Sequence, residues 1–415
     1  MLAIGCLGSL GLVGMLLAGG PALAGGPATA RFTPVPDADA AHWTPVGPFD
    51  GDRNYLDTDW SVTASGAFIQ DSASGSRFQT RLAPSFTIRR PGDRLDLGLT
   101  GNAQLSKTGG GNVALEQLGL RGTSTFDVSP TGTLTSNAAF SMLQEDPNSP
   151  DVAADVATTP VEYSGAVDST YEQKFGRLDF SLKGSLERDL YGPTTLTNGT
   201  SVDNTDQNNT QVGGTLRLGF QVTPVFQVFG EAGATRTLFD TASTGLGASL
   251  NGTQYSLLGG IAAAWGDQLS ASVAAGVGIE HFDDASLGDV RAALYDANLT
   301  YKPTDVLTLT GDFSSTIAPP GPNGTGTAQI NYQATAGATY LINEWLAARA
   351  SLNWQNITYA GTANSDNSYG FGVGADYLIN RQTKLSADYG FSRATVTPNP
   401  AEDTQTITLG LTFQK

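Results

Sequence analysis

From Asp57 to the C-terminus, apolar and polar side chains alternate residue by residue, and this two-residue period constrains the fold more than any other feature. In Tyr369–Tyr377, Thr383–Phe391 and Thr406–Phe413 the odd positions are almost all apolar or aromatic, while Gly, Ser, Thr, Lys and Asp fill the even ones. A strand places such sets on opposite faces, whereas a helix would smear them around its axis. The runs extend to about twice the usual length of a globular strand. Long alternating strands ending on an aromatic suit a transmembrane barrel, apolar toward lipid and polar toward a lumen.

The remaining features bound the alternatives. Met1–Leu17 is apolar, Gly19-Gly20-Pro21 breaks it, and Ala22-Leu23-Ala24 offers a small-residue cleavage site, so 1–24 reads as a secretory signal peptide cut after Ala24. Cys6, the single cysteine, falls within it, which leaves the mature chain without disulfide or thiol chemistry. Residues 25–56 carry Pro27, Pro34, Pro36, Pro45 and Pro48 with little periodicity and read as an extended periplasmic segment. The barrel occupies 57–415. A formal net charge of -17 argues against nucleic acid as a partner, and two histidines (His42 and His281) are too few for a histidine-rich metal centre. No metal and no cofactor is expected. No later stretch has the roughly 20 continuous apolar residues of a spanning helix. The 51 glycines and the abundance of Ser, Thr and Asn suit a barrel, which needs apolar residues only on its outer band.

The alternation predicts strands at 57–70, 75–89, 93–106, 112–128, 131–144, 160–174, 176–190, 208–222, 225–239, 251–265, 268–282, 288–302, 305–317, 326–341, 344–359, 367–379, 382–396 and 403–413. The fold expected is all-β: a transmembrane up-and-down antiparallel β-barrel of about eighteen strands, within a range of 16–20. After every even-numbered strand the link is tight (Arg90-Pro91-Gly92, Ser129-Pro130, Gly266-Asp267, Asn380-Arg381). After odd-numbered strands it is mostly longer and polar, as over 144–160 and 191–209. Short periplasmic turns and long extracellular loops produce this sorting, with both termini in the periplasm of a Gram-negative envelope. Phe86, Phe126, Phe175, Phe220, Trp265, Tyr301, Tyr340 and Tyr377 lie beside the tight turns as an interfacial girdle. The last four recur at 36–39 residues, one hairpin apart. Two irregularities stand out: Pro84 sits mid-strand, which requires a bulge or a broken ladder bond, and 112–128 alternates poorly.

The alternation also assigns charges to the lumen. Arg77, Arg81, Arg89 and Arg94, with Asp96, come from strands two and three; Glu162, Asp168, Glu172 and Asp179 from six and seven; Arg217 from eight; Arg349 from fifteen. Opposed basic and acidic walls select solutes by charge, while cross-strand pairing merely fills the interior. Arg77-Arg81-Arg89 is the best selectivity candidate, because no acid interleaves on that strand. Arg188 interrupts an apolar set near an outer end, where a charge reaches water. His281 with Glu280, Asp283 and Asp284 is a weak candidate for a hydrolase at the extracellular rim, with no serine nucleophile singled out. No enzymatic activity is expected. The acidic loop patches Asp203-Asn204-Asp206 and Asp283-Asp284 do not have the spacing of a calcium loop.

The second half also carries a family likeness. The runs His281–Val290, Leu294–Thr304, Tyr359–Gly361, Asp366–Tyr369 and Tyr377–Arg381 resemble the putative beta-barrel porin 2 family of outer-membrane barrels. The likeness is clear over roughly Gly214 to Phe413; the first half matches by architecture alone. At one point this chain departs from the family pattern, with Ser365-Asp366 where an Arg-Asp pair is usual. The resemblance implies a barrel and no catalytic residues. It also points to components of envelope polysaccharide export as partners, in a structural or accessory role. Outer-membrane lipid and lipopolysaccharide are the other expected partners. So is the insertion machinery, which would read the C-terminal strand with Leu409, Leu411 and Phe413. The leading expectation is a channel for small hydrophilic solutes. The mature protein is therefore expected to need detergent for solubility and to migrate faster on gels unboiled than boiled; an identical mobility in both states would remove the barrel.

Overall fold

A computed structural model describes residues 56–72, 74–147, 155–320, 326–396 and 401–415; the signal peptide and nearly all of the proline-rich segment lie outside these described residues. The strands in chain order begin β1 (Asp57–Asp71), β2 (Gly75–Arg90), β3 (Leu95–Thr108), β4 (Ala114–Ser129), β5 (Gly132–Gln144), β6 (Val156–Thr158) and β7 (Val161–Phe175). They continue with β8 (Leu178–Tyr191), β9 (Thr194–Leu196), β10 (Ser201–Val202), β11 (Asn209–Gln221), β12 (Phe226–Phe239), β13 (Gly252–Trp265) and β14 (Leu269–Phe282). The last seven are β15 (Val290–Thr304), β16 (Leu307–Ala318), β17 (Gln329–Leu341), β18 (Leu346–Tyr359), β19 (Ser365–Asn380), β20 (Thr383–Val396) and β21 (Glu402–Gln414). Eighteen of them form one antiparallel sheet, and β21 returns to pair with β1 from Ser61↔Gln414 to Asp71↔Thr404. The barrel is closed. The three short strands β6, β9 and β10 form a small separate sheet in the long loops, which the alternation did not reveal.

Burial is inverted relative to a water-soluble protein. Leu257, Leu352 and Leu409 remain 61%, 60% and 60% exposed, while the largest fully buried side chains are Gln79, Gln329 and Asn209. A hydrocarbon surround removes the cost of that outer face, at about 25 cal/mol per Å² of apolar surface withdrawn from water. Glycine at outward position 101 lets the Phe86 ring lie flat across β3, where a Cβ would meet ring carbons at 2.3 and 2.5 Å.

Both sequence irregularities have local causes. At Pro84 the β2–β3 ladder is interrupted between Leu82↔Leu105 and Ser85↔Asn102 without a change of register, so a ladder bond is lost and no bulge forms. The bulge lies one strand further on. Gln104 pairs with Gln117 and Leu105 with Leu115, leaving Glu116 as the extra residue of β4 and reversing the alternation there.

The β15–β16 seam is the exception to long pairing. Its register runs only from Asp296↔Ser314 to Thr304↔Leu307, so β15 from Val290 to Tyr295 has no ladder partner on that side. By alternation Ile317 of β16 belongs to the outer face, yet it is 4% exposed. The tops of β16 and β17 lean over the inner face of β14 and β15, where Ile317 and Leu294 both crowd the inward side of Gly278. Leu250, Phe282, Val290, Leu294, Ile317 and Ala328 form an apolar core there, at the long-loop mouth. Ser315 closes the seam. Its Oγ accepts the Tyr295 N–H at 2.6 Å and lies 3.4 and 3.5 Å from the carbonyls of Ala293 and Tyr295. Ser315→Ala strands that amide in the outer wall and is expected to destabilise the barrel by about 1–3 kcal/mol. Hydrogen exchange checks this: the Tyr295 amide is expected to lose protection before its neighbours on β14 do.

Candidate functional site

The inward faces of the strands form the candidate site, and pairing across strands decides which of their charges act alone. On β2, the Arg81 Nε–H donates to Gln79 Oε1 at 2.8 Å, and Gln79 Nε2 donates to Glu116 Oε1 at 3.0 Å. Gln104 Nε2 donates to Glu116 Oε2 at 2.5 Å, and the Ser106 hydroxyl donates to its other oxygen. The bulge turns Glu116 inward and buries it, 4% exposed, beside the arginine stripe. No acid interleaves on β2 itself, but β4 brings Glu116 beside the stripe, which the sequence of β2 alone does not reveal. Arg77 donates to Ser74 Oγ at 3.0 Å near the long loops. Arg89 is exposed at the short-turn rim, in register with Asp57.

Arg94 is a correction. It precedes β3 and donates to the Asp127 and Val128 carbonyls at 3.0 and 3.3 Å, with its guanidinium 5.4 Å from the Phe126 ring centre. It ties two short turns together and is no part of the lumen wall. Its neighbour Asp96 accepts the Gly92 N–H at 2.8 Å.

The other charges fall into clusters. Arg121, which the poor alternation of its strand hid, donates to Asn137 Oδ1 at 3.2 Å, and Asn137 passes the chain to Asp168 Oδ2 at 3.0 Å. Glu162, opposite Tyr191, lies near Glu187 and Asp189 at the long-loop end. Asp179 accepts from Gln227, and Glu172 stays exposed while facing inward. Arg217 lies 3.5 Å from the centre of the buried Phe229 ring and opposite Glu231 in register. Arg349, 9% exposed, meets Asp376 Oδ2 at 2.9 Å and Asp388 Oδ1 at 2.8 Å.

All seven aromatics of the expected girdle (Phe86, Phe126, Phe220, Trp265, Tyr301, Tyr340 and Tyr377) are outward and exposed, as is Phe175. A second belt on the long-loop half was missed: Phe140 stacks on Tyr163 at 6.4 Å, Tyr295 meets Phe313 at 6.1 Å, and Phe371 meets Phe391 at 5.5 Å. Its signal was present in the same outward positions, but long loops do not mark it as tight turns mark the first. In β21, Leu409 and Phe413 face outward and Leu411 is half-buried between β1 and β20.

The rim residues take separate partners. His281 Nδ1 lies 2.8 Å from Asp289 Oδ1, while Glu280 occupies the opposite face of β14. Asp283 is held by Arg236 and Asp284 by Ser286. The hydrogen bonds from Arg188 and Arg236 keep the loop carboxylates Asp240 and Asp283 below the ordinary Asp range. In the other acidic patch Asp206 accepts the Thr244 N–H at 2.8 Å; among the described residues no acidic or histidine cluster has the geometry of a metal site. Asp366, at the departure from the family pattern, accepts the Tyr359 hydroxyl at 2.7 Å.

A closed barrel with an apolar exterior and a charged interior defines the class: an outer-membrane β-barrel. The chain belongs to the family described as putative beta-barrel porin 2, whose model matches residues 62–415. No curated protein matches the sequence. Among solved structures the chain is similar to a ferric enterobactin receptor mutant from Pseudomonas aeruginosa, at 11% identity and a TM-score of 0.44, over 86% of this chain and 80% of that one. It is also similar to the outer membrane protein opdK from Pseudomonas aeruginosa, at 9% identity and a TM-score of 0.43, over 86% and 99%. A copper transporter, OprC, gives 12% identity and a TM-score of 0.42, over 87% and 81%.

Replacing Arg349 with Met removes the guanidinium that both Asp376 and Asp388 contact and is expected to destabilise the barrel by about 3–5 kcal/mol. The heat-unfolding midpoint on gels reports this, and adding Asp376→Asn with Asp388→Asn is expected to restore most of the loss.

Proposed function

We propose that this barrel is a water-filled channel for small hydrophilic solutes, its long loops at the cell surface and its termini in the periplasm. One observation carries this reading. Asp296, Asn298, Asp312 and Glu172 face inward and still remain exposed, which a solvent-filled interior would explain. Ionised groups in a dry interior would instead be buried and paired.

The charge balance favours cations. Glu231, Asp296 and Asp312 lie on β12, β15 and β16; Arg217 stands opposite Glu231 but is stacked on Phe229, and Lys183 is the other cation acting on Glu231. The arginines of β2 share their wall with Glu116. A net charge of -17 adds a diffuse field of the same sign.

Planar-bilayer recording tests both statements. Stable open steps with a cation-selective reversal potential in a salt gradient are expected, and Asp296→Asn with Asp312→Asn is expected to shift that potential toward anions. Arg81→Glu with Arg89→Glu should move it further toward cations. A silent bilayer, with protein shown to be inserted, would overturn the channel.

A further inference from the structure

Outward-facing charge is not scattered over this barrel. On the strands, the outward arginines and lysine are Arg90 at the short-turn end and five others at the long-loop end. Those five are Lys107 on β3, Arg188 on β8, Arg236 on β12, Arg291 on β15 and Arg393 on β20, each within three residues of its strand's end. They share the lipid-facing set with apolar neighbours: Arg188 lies between Leu186 and Leu190, which are 49% and 39% exposed.

Two of the five repeat one geometry a hairpin apart. Arg188 stands opposite Thr210 and donates to its Oγ1 at 3.0 Å, and it binds Asp240 through both terminal nitrogens at 2.8 and 2.5 Å. Arg236 stands opposite Thr253, donates to its Oγ1 at 3.1 Å, and grips Asp283 in the same two-pronged way. Both arginine side chains remain 36% exposed, and among the described residues the Nε–H of each has no protein acceptor. The carboxylates hold the guanidinium groups at the outer wall through their terminal nitrogens and leave each Nε–H without a protein acceptor among the described residues. Arg291 is exposed and forms no ion pair among the described residues, and Arg393 lies 3.6 Å from Asp403.

A guanidinium facing lipid at the edge of the hydrocarbon needs an anion from the headgroup layer, and its planar fork matches phosphate. Loop and strand carboxylates meet three of these cations, but the Arg188 and Arg236 side chains stay 36% exposed and Arg291 is exposed without an ion pair among the described residues, which leaves positive charge at this rim for an external anion. We propose that this ring binds phosphate groups of lipids in the leaflet at the long-loop end. The proposal rests on the membrane-spanning fold and its loop orientation, and it does not require an open lumen.

The detergent-purified barrel, reconstituted into phosphatidylcholine nanodiscs containing either lipid A or lipid A stripped of its phosphates, provides the test by native mass spectrometry. Retention of the phosphorylated form at least about tenfold above the stripped form is expected, since two engaged cations at about 1 kcal/mol each already exceed that ratio. Arg188→Gln with Arg236→Gln and Arg291→Gln, which leaves Lys107 and Arg393, is expected to remove most of the difference, and the three Lys replacements to keep most of it. Asp240→Asn with Asp283→Asn separates binding from loop-holding: freed guanidinium groups keep or raise retention of the phosphorylated lipid. Equal retention of the two lipids by the unaltered barrel would overturn the proposal, as would a loss in the Asn variant matching that in the Gln variant. These two comparisons decide the matter even if the triple Gln variant does not fold. Retention of phosphorylated lipid by a non-conducting barrel would sink the channel reading alone.

Discussion

Every backbone N–H and C=O in the wall must find a partner in the wall, because hydrocarbon offers none and an unpaired group there costs several kcal/mol. Pairing of β21 with β1 meets that requirement by leaving no edge strand, and Thr63 and Thr412 join their hydroxyls across the closing seam at 2.8 Å. The inverted distribution of side chains follows from closure: once the sheet has an inside, glutamine and asparagine are buried there and leucine faces out. The β15–β16 seam shows the same constraint under stress. Where ladder pairing stops, a serine side chain substitutes for it and an apolar core holds the departing hairpin tops in place.

The interior works by a different rule. Inward charges either pair across strands, as in the Arg349–Asp376–Asp388 group, or stay wet, as do Asp296 and Asp312. The paired groups stiffen the wall, and breaking such a group would cost more than forming it contributes. The exposed ones would set the field that a solute meets in the proposed channel.

The two ends of the barrel differ chemically. Aromatic side chains crowd the short-turn end, while the long-loop end adds outward arginines clasped to loop carboxylates. That difference would place each end in a different leaflet, since indole and phenol rings suit any interface whereas guanidinium seeks anions.

The alternation alone determined the class of fold, the strand number and most element bounds, because a period of two is a property of neighbouring residues and survives any arrangement of the strands. Loop length sorted the two ends for the same local reason. It also placed the inward charges on their face, except where a local rule failed: one extra residue at Glu116 hid Arg121 and put an acid beside Arg81, and Arg94 stayed in its turn. The folded barrel alone decided which charges meet. Arg349 lies 27 and 39 residues from its carboxylates, and Arg188 lies 52 from Asp240. Such distances close only through register between strands and the curvature that brings the last strand to the first, neither of which a residue's near neighbours encode.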